Sequence, residues 1–313
     1  MRQVFERGNP TASTHGLVDP AAARRGFALV RLEPAPDLAD LVERHWVVRW
    51  DLPRGAEFTQ VVIPHPNANV VAEADGLAVH GVPGGLFSRT LRGSGAVLGT
   101  KLRPGALRVL LDDPSAVRPG LVLPAGIALA AAGVTTDDVD EAGRRAVAAA
   151  RAGDDAAAVA AVTPVLRAVA GRRRTRRSAD VLPRIARVLG AVVAGELGPD
   201  AGVGDLAAVA GTTTRSLQRL FAGWVGVSPK WVLQRHRVHL AAELVAADPG
   251  RPLADVAAAV GYYDQAHLST DFARALGVSP AAYAKRCAAS RAALAEALDR
   301  GLGRADLVGA GRA

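Results

Sequence analysis

The chain has 313 residues, more than a single hydrophobic core usually serves, so at least two domains are expected. Half of the residues are hydrophobic, which is enough for two ordinary cores. A single cysteine excludes an intramolecular disulfide framework and a cysteine-based zinc ribbon, and it fits a reducing cytosol. The first residues lack the apolar core of a signal peptide, and no apolar run is long enough to span a bilayer. We therefore expect a cytoplasmic protein with no membrane partner.

The positive charge is distributed unevenly along the chain. Basic and acidic residues balance up to residue 171, so the whole formal net charge of +8 lies from Arg172 onward. The run Arg172–Arg177 is the most basic stretch. Such a bias favours a polyanionic partner, because each neutralised phosphate releases condensed counterions. A solvated linker is the alternative for the run itself.

The N-terminal part of the chain is predicted to be β-rich. Residues 1–26 mix Gly, Pro, Thr and Arg without a period, which predicts a flexible N-terminus. From residue 27 to residue 136, short β-prone stretches alternate with Pro and Gly, which predicts a small barrel-like domain with a sensor or dimerisation role. One helix is predicted at Pro36–Arg44, where apolar residues recur at helical spacing. The predicted strands are Phe27–Leu32, Trp46–Trp50, Gln60–Ile63, Asn69–Ala72, Leu77–Val82, Leu86–Leu91 and Ala96–Lys101.

Helical patterns dominate the rest of the chain. The stretch Asp137–Ala170 is alanine-rich, with candidate N-caps at Thr135–Asp137, and another helix is predicted at Pro183–Ala194. The predicted fold class is therefore α+β multidomain, with a helical connector and a C-terminal all-α domain. Its predicted segments are the flexible N-terminus 1–26, the β-rich domain 27–136, the connector and basic linker 137–180, the all-α domain 181–287 and the C-terminal tail 288–313.

An internal repeat marks the all-α domain. The tetrapeptide Gly-Val-Ser-Pro occurs at Gly226–Pro229 and again at Gly277–Pro280, an offset of 51 residues. The correspondence continues upstream, pairing Leu217 with Leu268, Phe221 with Phe272 and, at an offset of 50, Gly211 with Gly261. Each copy consists of a helix, a glycine turn and a second helix, which is the sequence form of a helix-turn-helix. The first copy is predicted to have a helix at Asp205–Ala210 and a second helix that is capped by Thr213 and runs to Phe221. The second copy is predicted to have a helix at Leu253–Val260 and a second helix that is capped by Asp264 and runs to about Leu276.

The second helix of each copy, which we call its recognition helix, has two distinct faces. In the first, Leu217, Leu220 and Phe221 point inward, whereas Arg215, Gln218 and Arg219 share an outward face. Arg and Gln are the side chains that pair with guanine and adenine edges in the major groove. The candidate DNA-binding residues are Thr214, Arg215, Gln218 and Arg219 in the first unit, and Gln265, Ala266, His267, Ser269 and Thr270 in the second. The candidate phosphate contacts are Thr213, Arg235, His236 and Asp264.

A helix is predicted between the copies, beginning at Pro229 and continuing to Ala247, with Val232, Leu233, Val238, Leu240 and Leu244 as its buried stripe. Its 19 residues span roughly 28 Å, close to one turn of B-DNA at about 34 Å. A helix of that length would hold both recognition helices in successive major grooves without requiring a dimer. The second recognition face is smaller and less charged than the first, which predicts weaker binding by the second unit. The sequence does not decide whether the chain is a monomer or a homodimer.

These residues resemble the AraC/XylS family of transcription regulators. The resemblance covers about 100 residues and is carried by TTRSLQRLF at 213–221, RVHLAAELV at 237–245, VGYYDQAHLS at 260–269 and FARALGVSP at 272–280, with Tyr283. It implies a bipartite all-helical DNA-binding domain joined to a variable sensor or dimerisation domain. The family often has a basic residue at the position of Thr270, which is followed here by Asp271; this departure implies weak DNA contact by the second unit. Double-stranded DNA is thus the expected partner of a nucleoid-associated regulator, with a small-molecule effector and RNA polymerase as further candidate partners.

The N-terminal residues loosely resemble the poorly characterised N-terminal domain of some of these regulators. The carrying sequences are RHWVVRW at 44–50, PHPNAN at 64–69, GV at 81–82 and GTKLRPG at 99–105. His45, His65 and His80 lack paired metal-ligand spacing, and no catalytic motif is present, so neither a metal, a cofactor nor an enzymatic activity is expected. Two alternatives stay open: a DNA-binding domain fused to an enzymatic N-terminal domain, or to one that accepts alkyl groups, for which Cys287 would be the sole nucleophile.

Overall fold

The computed structural model describes residues 26–63, 65–74, 76–111, 117–130 and 134–299. Apart from Gly26, the predicted flexible N-terminus lies outside these ranges, as do residues 300–313 of the predicted tail. The strands are β1 (Ala28–Leu32), β2 (Val42–Asp51), β3 (Glu57–Val62), β4 (Asn69–Glu73), β5 (Gly76–His80), β6 (Phe87–Arg92), β7 (Ser94–Leu102) and β8 (Val122–Pro124). The helices are α1 (Leu107–Leu110), α2 (Ala125–Ala130), α3 (Thr136–Ala152), α4 (Asp155–Arg173), α5 (Arg176–Val193), α6 (Val203–Val209), α7 (Thr214–Trp224), α8 (Pro229–Ala247), α9 (Leu253–Ala259), α10 (Gln265–Leu276) and α11 (Pro280–Asp299).

The β-rich N-terminal domain and the C-terminal helices of the predicted fold class are confirmed. Six strands form an antiparallel sheet in the order β1-β2-β7-β4-β5-β8, and β3 pairs with β6 in a second, two-stranded sheet. One face of the large sheet packs against α3, and both contribute to a continuous apolar core that α4 also joins. On the other face, Phe58 and Leu91 of the small sheet cluster with Trp46 and Trp50.

Two glycines of β7 let tryptophan rings lie flat on this second face. Trp46 is directly opposite Gly99, and Trp50 is opposite Gly95. A Cβ atom on Gly99 would lie 2.0 Å from the Trp46 ring, and one on Gly95 would lie 2.3 Å from the Trp50 ring. The rings therefore cover backbone rather than line an open pocket, and the indole N–H of Trp46 donates to Asn69 Oδ1 at 3.3 Å.

The predicted helix at Pro36–Arg44 is wrong. A single 3-10 turn covers Pro36–Leu38, and β2 already begins at Val42. Strand β2 pairs with β7 from Val42 to Asp51 and, on its other side, with β1 from His45 to Arg49, so it gains ladder hydrogen bonds along its whole length. Those hydrogen bonds and the burial of Val42 and Val47 stabilise the strand more than the short helical pattern stabilises a helix. Tertiary interactions of this kind commonly override local helix propensity.

The connector is two helices rather than one. Helix α3 is capped by Thr135, as predicted, and ends at Gly153, whose φ of 85° is left-handed. Asp154 then caps α4 by accepting a hydrogen bond from Ala157 N at 2.9 Å. Helix α5 begins at Arg176, well before the predicted start at Pro183, so the basic run has only Arg174 and Thr175 outside helices.

The C-terminal helices form two cores joined by α8. Val232 and Leu233 belong to the core of the first helix-turn-helix, whereas Val238 and Val245 belong to that of the second. Helix α8 contacts α5, α6 and α7 on one side of the join and α9, α10 and α11 on the other. Its bounds, Pro229–Ala247, are those predicted. Leu240 does not belong to the buried stripe, because its side chain is 37% exposed and His239 is buried instead.

The N-terminal domain touches both units. Val82 lies in the core of the first unit, and Ile63 lies in that of the second. The imidazole rings of His65 and His239 stack with centroids 4.3 Å apart. Helix α1 of the N-terminal domain also contacts α7. The N-terminal domain is therefore in direct contact with both cores of the C-terminal helices.

Candidate nucleic-acid interface

The first recognition helix is α7, and it begins after a turn that requires glycine. Gly211 has a φ of 61°, a left-handed conformation that side-chain-bearing residues rarely adopt. Thr213 then caps the helix by accepting a hydrogen bond from Ser216 N at 3.2 Å. Leu217 and Phe221 are fully buried and fix the rotation of the helix about its axis. Leu220, predicted to point inward with them, is only half-buried.

The opposite face of α7 is exposed. This face presents the candidate DNA-binding residues of the first unit, all of which are exposed: Thr214, Arg215, Gln218 and Arg219. Arg219 Nη2 donates to Ser216 Oγ at 3.4 Å, a contact too long to hold the guanidinium strongly. The face therefore presents two arginines and a glutamine, whose donors and acceptors match base edges and phosphates.

The second recognition helix is α10. Asp264 caps it by accepting a hydrogen bond from His267 N at 2.7 Å, and a carboxylate at a helix N-terminus also interacts favourably with the helix dipole. The exposed candidates here are Gln265, Ala266, His267 and Thr270, while Ser269 is half-buried. The Thr270 hydroxyl donates to Ala266 O at 2.9 Å within the helix. These candidates include neither an arginine nor a lysine, in contrast to those of α7.

Asp271 points into the second unit rather than toward solvent. Its carboxylate is buried and accepts hydrogen bonds from Arg274 Nη1 at 2.8 Å, Tyr262 Oη at 3.3 Å and Gln234 Nε2 at 3.5 Å. Burial, and then the neighbouring Asp271 carboxylate, raise the pKa of the Tyr262 phenol above its usual range. Asp271 therefore joins α8, α10 and the turn before α10. This packing role was not evident from the sequence.

The four candidate phosphate contacts differ in their surroundings. Thr213 and Asp264 are the exposed N-caps already described. Arg235 is half-buried with its guanidinium 4.9 Å from the centre of the Trp231 ring, and burial lowers the pKa of Arg235 below its usual value. His236 is half-buried. Sequence reasoning missed the neighbouring Arg237, whose Nη2 donates to Ala201 O at 2.9 Å and so ties α8 to the loop before α6.

The residues considered as metal ligands or as a nucleophile lie in both domains. His45 is buried, with Nδ1 2.9 Å from Thr100 Oγ1, and burial lowers the pKa of His45 to about 4. Over the described ranges, His, Cys, Asp and Glu side chains form no group of three that could hold a metal ion. Cys287 is buried in the core of the second unit, which disfavours the thiolate that alkyl transfer requires. Among the helices that the structure describes, none is both long and apolar enough to cross a membrane.

Two separate parts of the chain match known domain families. Residues 206–286 match the model of a helix-turn-helix domain, which is of the AraC type, and residues 30–117 match a domain of unknown function. No curated protein matches the chain.

Several solved structures overlap the chain loosely. One is a transcriptional regulator with an AraC-type DNA-binding domain from Chromobacterium violaceum, at 21% identity and a TM-score of 0.30 over 35% of this chain and 96% of that one. Two others are structures of ToxT from Vibrio cholerae. One has an unsaturated fatty acid bound and is 10% identical with a TM-score of 0.36, and its match covers 83% of this chain and 95% of that one. The other is 12% identical with a TM-score of 0.37, covering 83% and 98%.

The similarity to these solved structures is too low to support an inference about this chain. The assignment of its two domains therefore rests on the two matches to family models. The residues matched by the AraC-type model, Leu206 to Arg286, include α7 and α10. The chain therefore carries an AraC-type helix-turn-helix domain behind an N-terminal domain of unknown function, and it is a DNA-binding transcription regulator.

Proposed function

We propose that the two helix-turn-helix units recognise a specific DNA sequence together, by inserting α7 and α10 into successive major grooves. The observation that carries this proposal is the matched exposure of the two recognition helices. In each unit a left-handed glycine and an N-cap precede the helix, apolar residues bury one face, and polar residues stay exposed on the other. Both faces stay exposed although the N-terminal domain contacts both units.

The roles of individual residues follow from their chemistry. Arg215, Gln218 and Arg219 select bases through paired hydrogen bonds, each good bidentate contact contributing about 1–3 kcal/mol of discrimination. Smaller contacts come from Thr214 and from the α10 residues Gln265, Ala266, His267, Ser269 and Thr270. Phosphate contacts by Thr213, Arg235, His236 and the helix N-terminus capped by Asp264 set the register.

The N-terminal domain is proposed to modulate this binding. Its contacts with both units, through Ile63 and Val82, support a route by which a small-molecule effector or a second copy of the chain changes the presentation of α7 and α10. Contact with RNA polymerase would couple DNA binding to transcription. No residue of the chain is assigned to that contact.

Selection from a random duplex pool, followed by hydroxyl-radical footprinting, tests the proposal. Two protected regions about 10–10.5 base pairs apart on one face of the duplex are expected at protein concentrations that give one chain per site. Protection of a single region, or protection that appears only with two chains per duplex, would contradict recognition by one rigid pair of units.

A matched pair of variants separates base recognition from charge. The double variant Arg215→Ala/Arg219→Ala is expected to lose both the selected sequence and most of the affinity. The control Arg184→Ala/Arg187→Ala removes the same charge from the exposed surface of α5 and is expected to keep the sequence preference. Equal losses in the two double variants would show that α7 contributes only general electrostatic attraction.

A further inference from the structure

The turn before the second recognition helix is one residue longer than its counterpart in the first copy of the repeat. In both copies the residue after the turn glycine donates its backbone N–H to the carbonyl oxygen of the residue five positions earlier, and the distance is 2.9 Å for Thr212 and for Tyr262. These two residues are 50 positions apart, whereas the N-caps Thr213 and Asp264 are 51 positions apart. Tyr263 is therefore an additional residue that has no counterpart in the first copy.

The side chain of Tyr263 lies outside the packed core. Its exposed fraction is 95%, and within the described part of the chain it has no hydrogen-bond or ring-stacking partner. A hydrophobic residue just before an N-cap often packs against the fourth residue of the helix, which here is Leu268. Leu268 is fully buried without help from Tyr263, so the tyrosine does not have this packing role. Its ring and hydroxyl are available for contact with a partner.

The backbone on both sides of Tyr263 is held in place. Tyr262 is buried, and its hydroxyl donates to Asp271 Oδ2 at 3.3 Å. On the other side, Asp264 accepts a hydrogen bond from His267 N at 2.7 Å and so caps α10. A side chain on a fixed backbone loses little conformational entropy on binding, and tyrosine has few side-chain torsions to immobilise.

Under the proposed function, Tyr263 lies at the edge of the major groove. An α-helix with its side chains is about 10–12 Å across and nearly fills a groove that is about 12 Å wide. The N-terminal residues of a recognition helix contact base edges. A residue one position before the N-cap therefore lies beside the sugar-phosphate backbone that borders the groove. The tyrosine hydroxyl is one of the side-chain donors that bind phosphate oxygen atoms.

We propose that the Tyr263 hydroxyl donates a hydrogen bond to a backbone phosphate beside α10. The inference rests on the proposed function and adds a contact that the proposed function does not include. It gives the second unit a DNA contact without net charge, which suits a recognition helix whose candidate residues include neither arginine nor lysine. A phosphate contact of this kind sets affinity and register but does not distinguish base pairs.

The variant Tyr263→Phe removes only the hydroxyl and tests the contact by titration of the selected duplex. The Kd should rise by about three- to tenfold, and by the same factor for duplexes that carry single base substitutions in the selected site. The salt dependence of binding should not change, because a neutral donor releases no counterion. The control Ser94→Ala removes an exposed hydroxyl from β7 of the N-terminal domain and should leave the Kd unchanged. Neither variant should shift the Tm, since both side chains are exposed.

The contacted phosphate is located by replacing single phosphates of the selected duplex with uncharged methylphosphonates. At one position in the half-site of the second unit, the difference between the wild-type chain and Tyr263→Phe should fall below about twofold, because both changes remove the same hydrogen bond. A difference that persists at every position would overturn the phosphate contact. A loss in Tyr263→Phe that depends on the base sequence would also overturn it and would make the tyrosine a base contact.

The contact and the proposed function can fail separately. If the wild-type chain selects no duplex, the proposed function fails and the tyrosine contact fails with it. If the chain selects a duplex and protects two regions as expected, but Tyr263→Phe binds as tightly as the wild-type chain, only the tyrosine contact is refuted.

Discussion

The two copies of the repeat share a backbone plan but differ at nearly every position that we propose to face DNA. The repeat offset of 51 residues matches Thr214 with Gln265, Arg215 with Ala266, Gln218 with Ser269, Arg219 with Thr270 and Leu220 with Asp271. Two arginines of the first unit thus correspond to an alanine and a threonine in the second, and an apolar residue corresponds to a buried carboxylate. Under the proposed function, the first unit would select the sequence and the second would mainly hold the register.

The turns differ as well, although both contain a left-handed glycine. A Cβ atom on Gly211 would meet nothing within 4 Å, whereas one on Gly261 would lie 1.9 Å from the carbonyl oxygen of Pro199. The loop before the first unit therefore packs directly on the turn of the second. This contact, with the hydrogen bond from Arg237 to Ala201, fixes the second unit against the first.

The largest effect is expected from the turn glycines. Gly261→Ala should lower the free energy of unfolding by about 2–5 kcal/mol, because a left-handed alanine costs about 1–2 kcal/mol and the clash with Pro199 adds about 1–3 kcal/mol. Gly211→Ala carries only the first cost. Urea denaturation followed by circular dichroism measures both variants, and equal destabilisation would show that the Pro199 contact is not a close one.

The next effect concerns base recognition. Arg219→Ala should raise the Kd for the selected duplex by about 5- to 150-fold relative to a scrambled duplex, the equivalent of about 1–3 kcal/mol. Thr270→Ala, at the matched position, should change the same ratio by no more than about twofold, because its hydroxyl already bonds within α10. Binding titrations at one salt concentration test the pair. A loss that is uniform across sequences in Arg219→Ala would make that residue a phosphate contact.

A smaller effect separates packing from surface charge at Asp271. Asp271→Leu installs the residue type of the matched position Leu220 and leaves the Tyr262 hydroxyl without its carboxylate, at a cost of about 1–3 kcal/mol in stability. Arg274→Ala removes only the exposed partner and should cost less than about 0.5 kcal/mol. Thermal unfolding compares the two. Similar losses would mean that the ion pair, and not the buried network, stabilises the second unit.

The smallest effect is expected from a substitution that makes the second recognition helix more like the first. Thr270→Arg gives α10 the charge that Arg219 gives α7, and the salt dependence of DNA binding should steepen by about 0.9 in log-log slope for one new phosphate contact. Ala186→Arg, an exposed site on α5, adds the same charge elsewhere and serves as the control. If both variants steepen the slope equally, α10 does not lie closer to DNA than α5 does.

Local signals in the sequence determined much of the C-terminal domain. The bounds of α8, the caps Thr213 and Asp264, and the turn glycines were all predicted, because capping and left-handed turns depend on residues close together in the chain. The repeat made the prediction specific, since two copies constrain each other. The exposed faces of α7 and α10 followed from helical periodicity alone.

Tertiary structure decided the features that depend on distant partners. Strand pairing with β1 and β7 overrode the helical spacing at Pro36–Arg44, and stacking on His65 accompanies the inward position of His239 where Leu240 was expected. Likewise, only packing turns Asp271 inward and places α1 of the N-terminal domain against α7. Periodicity states which face of an element is apolar, but it carries no information about which element of the chain that face will meet.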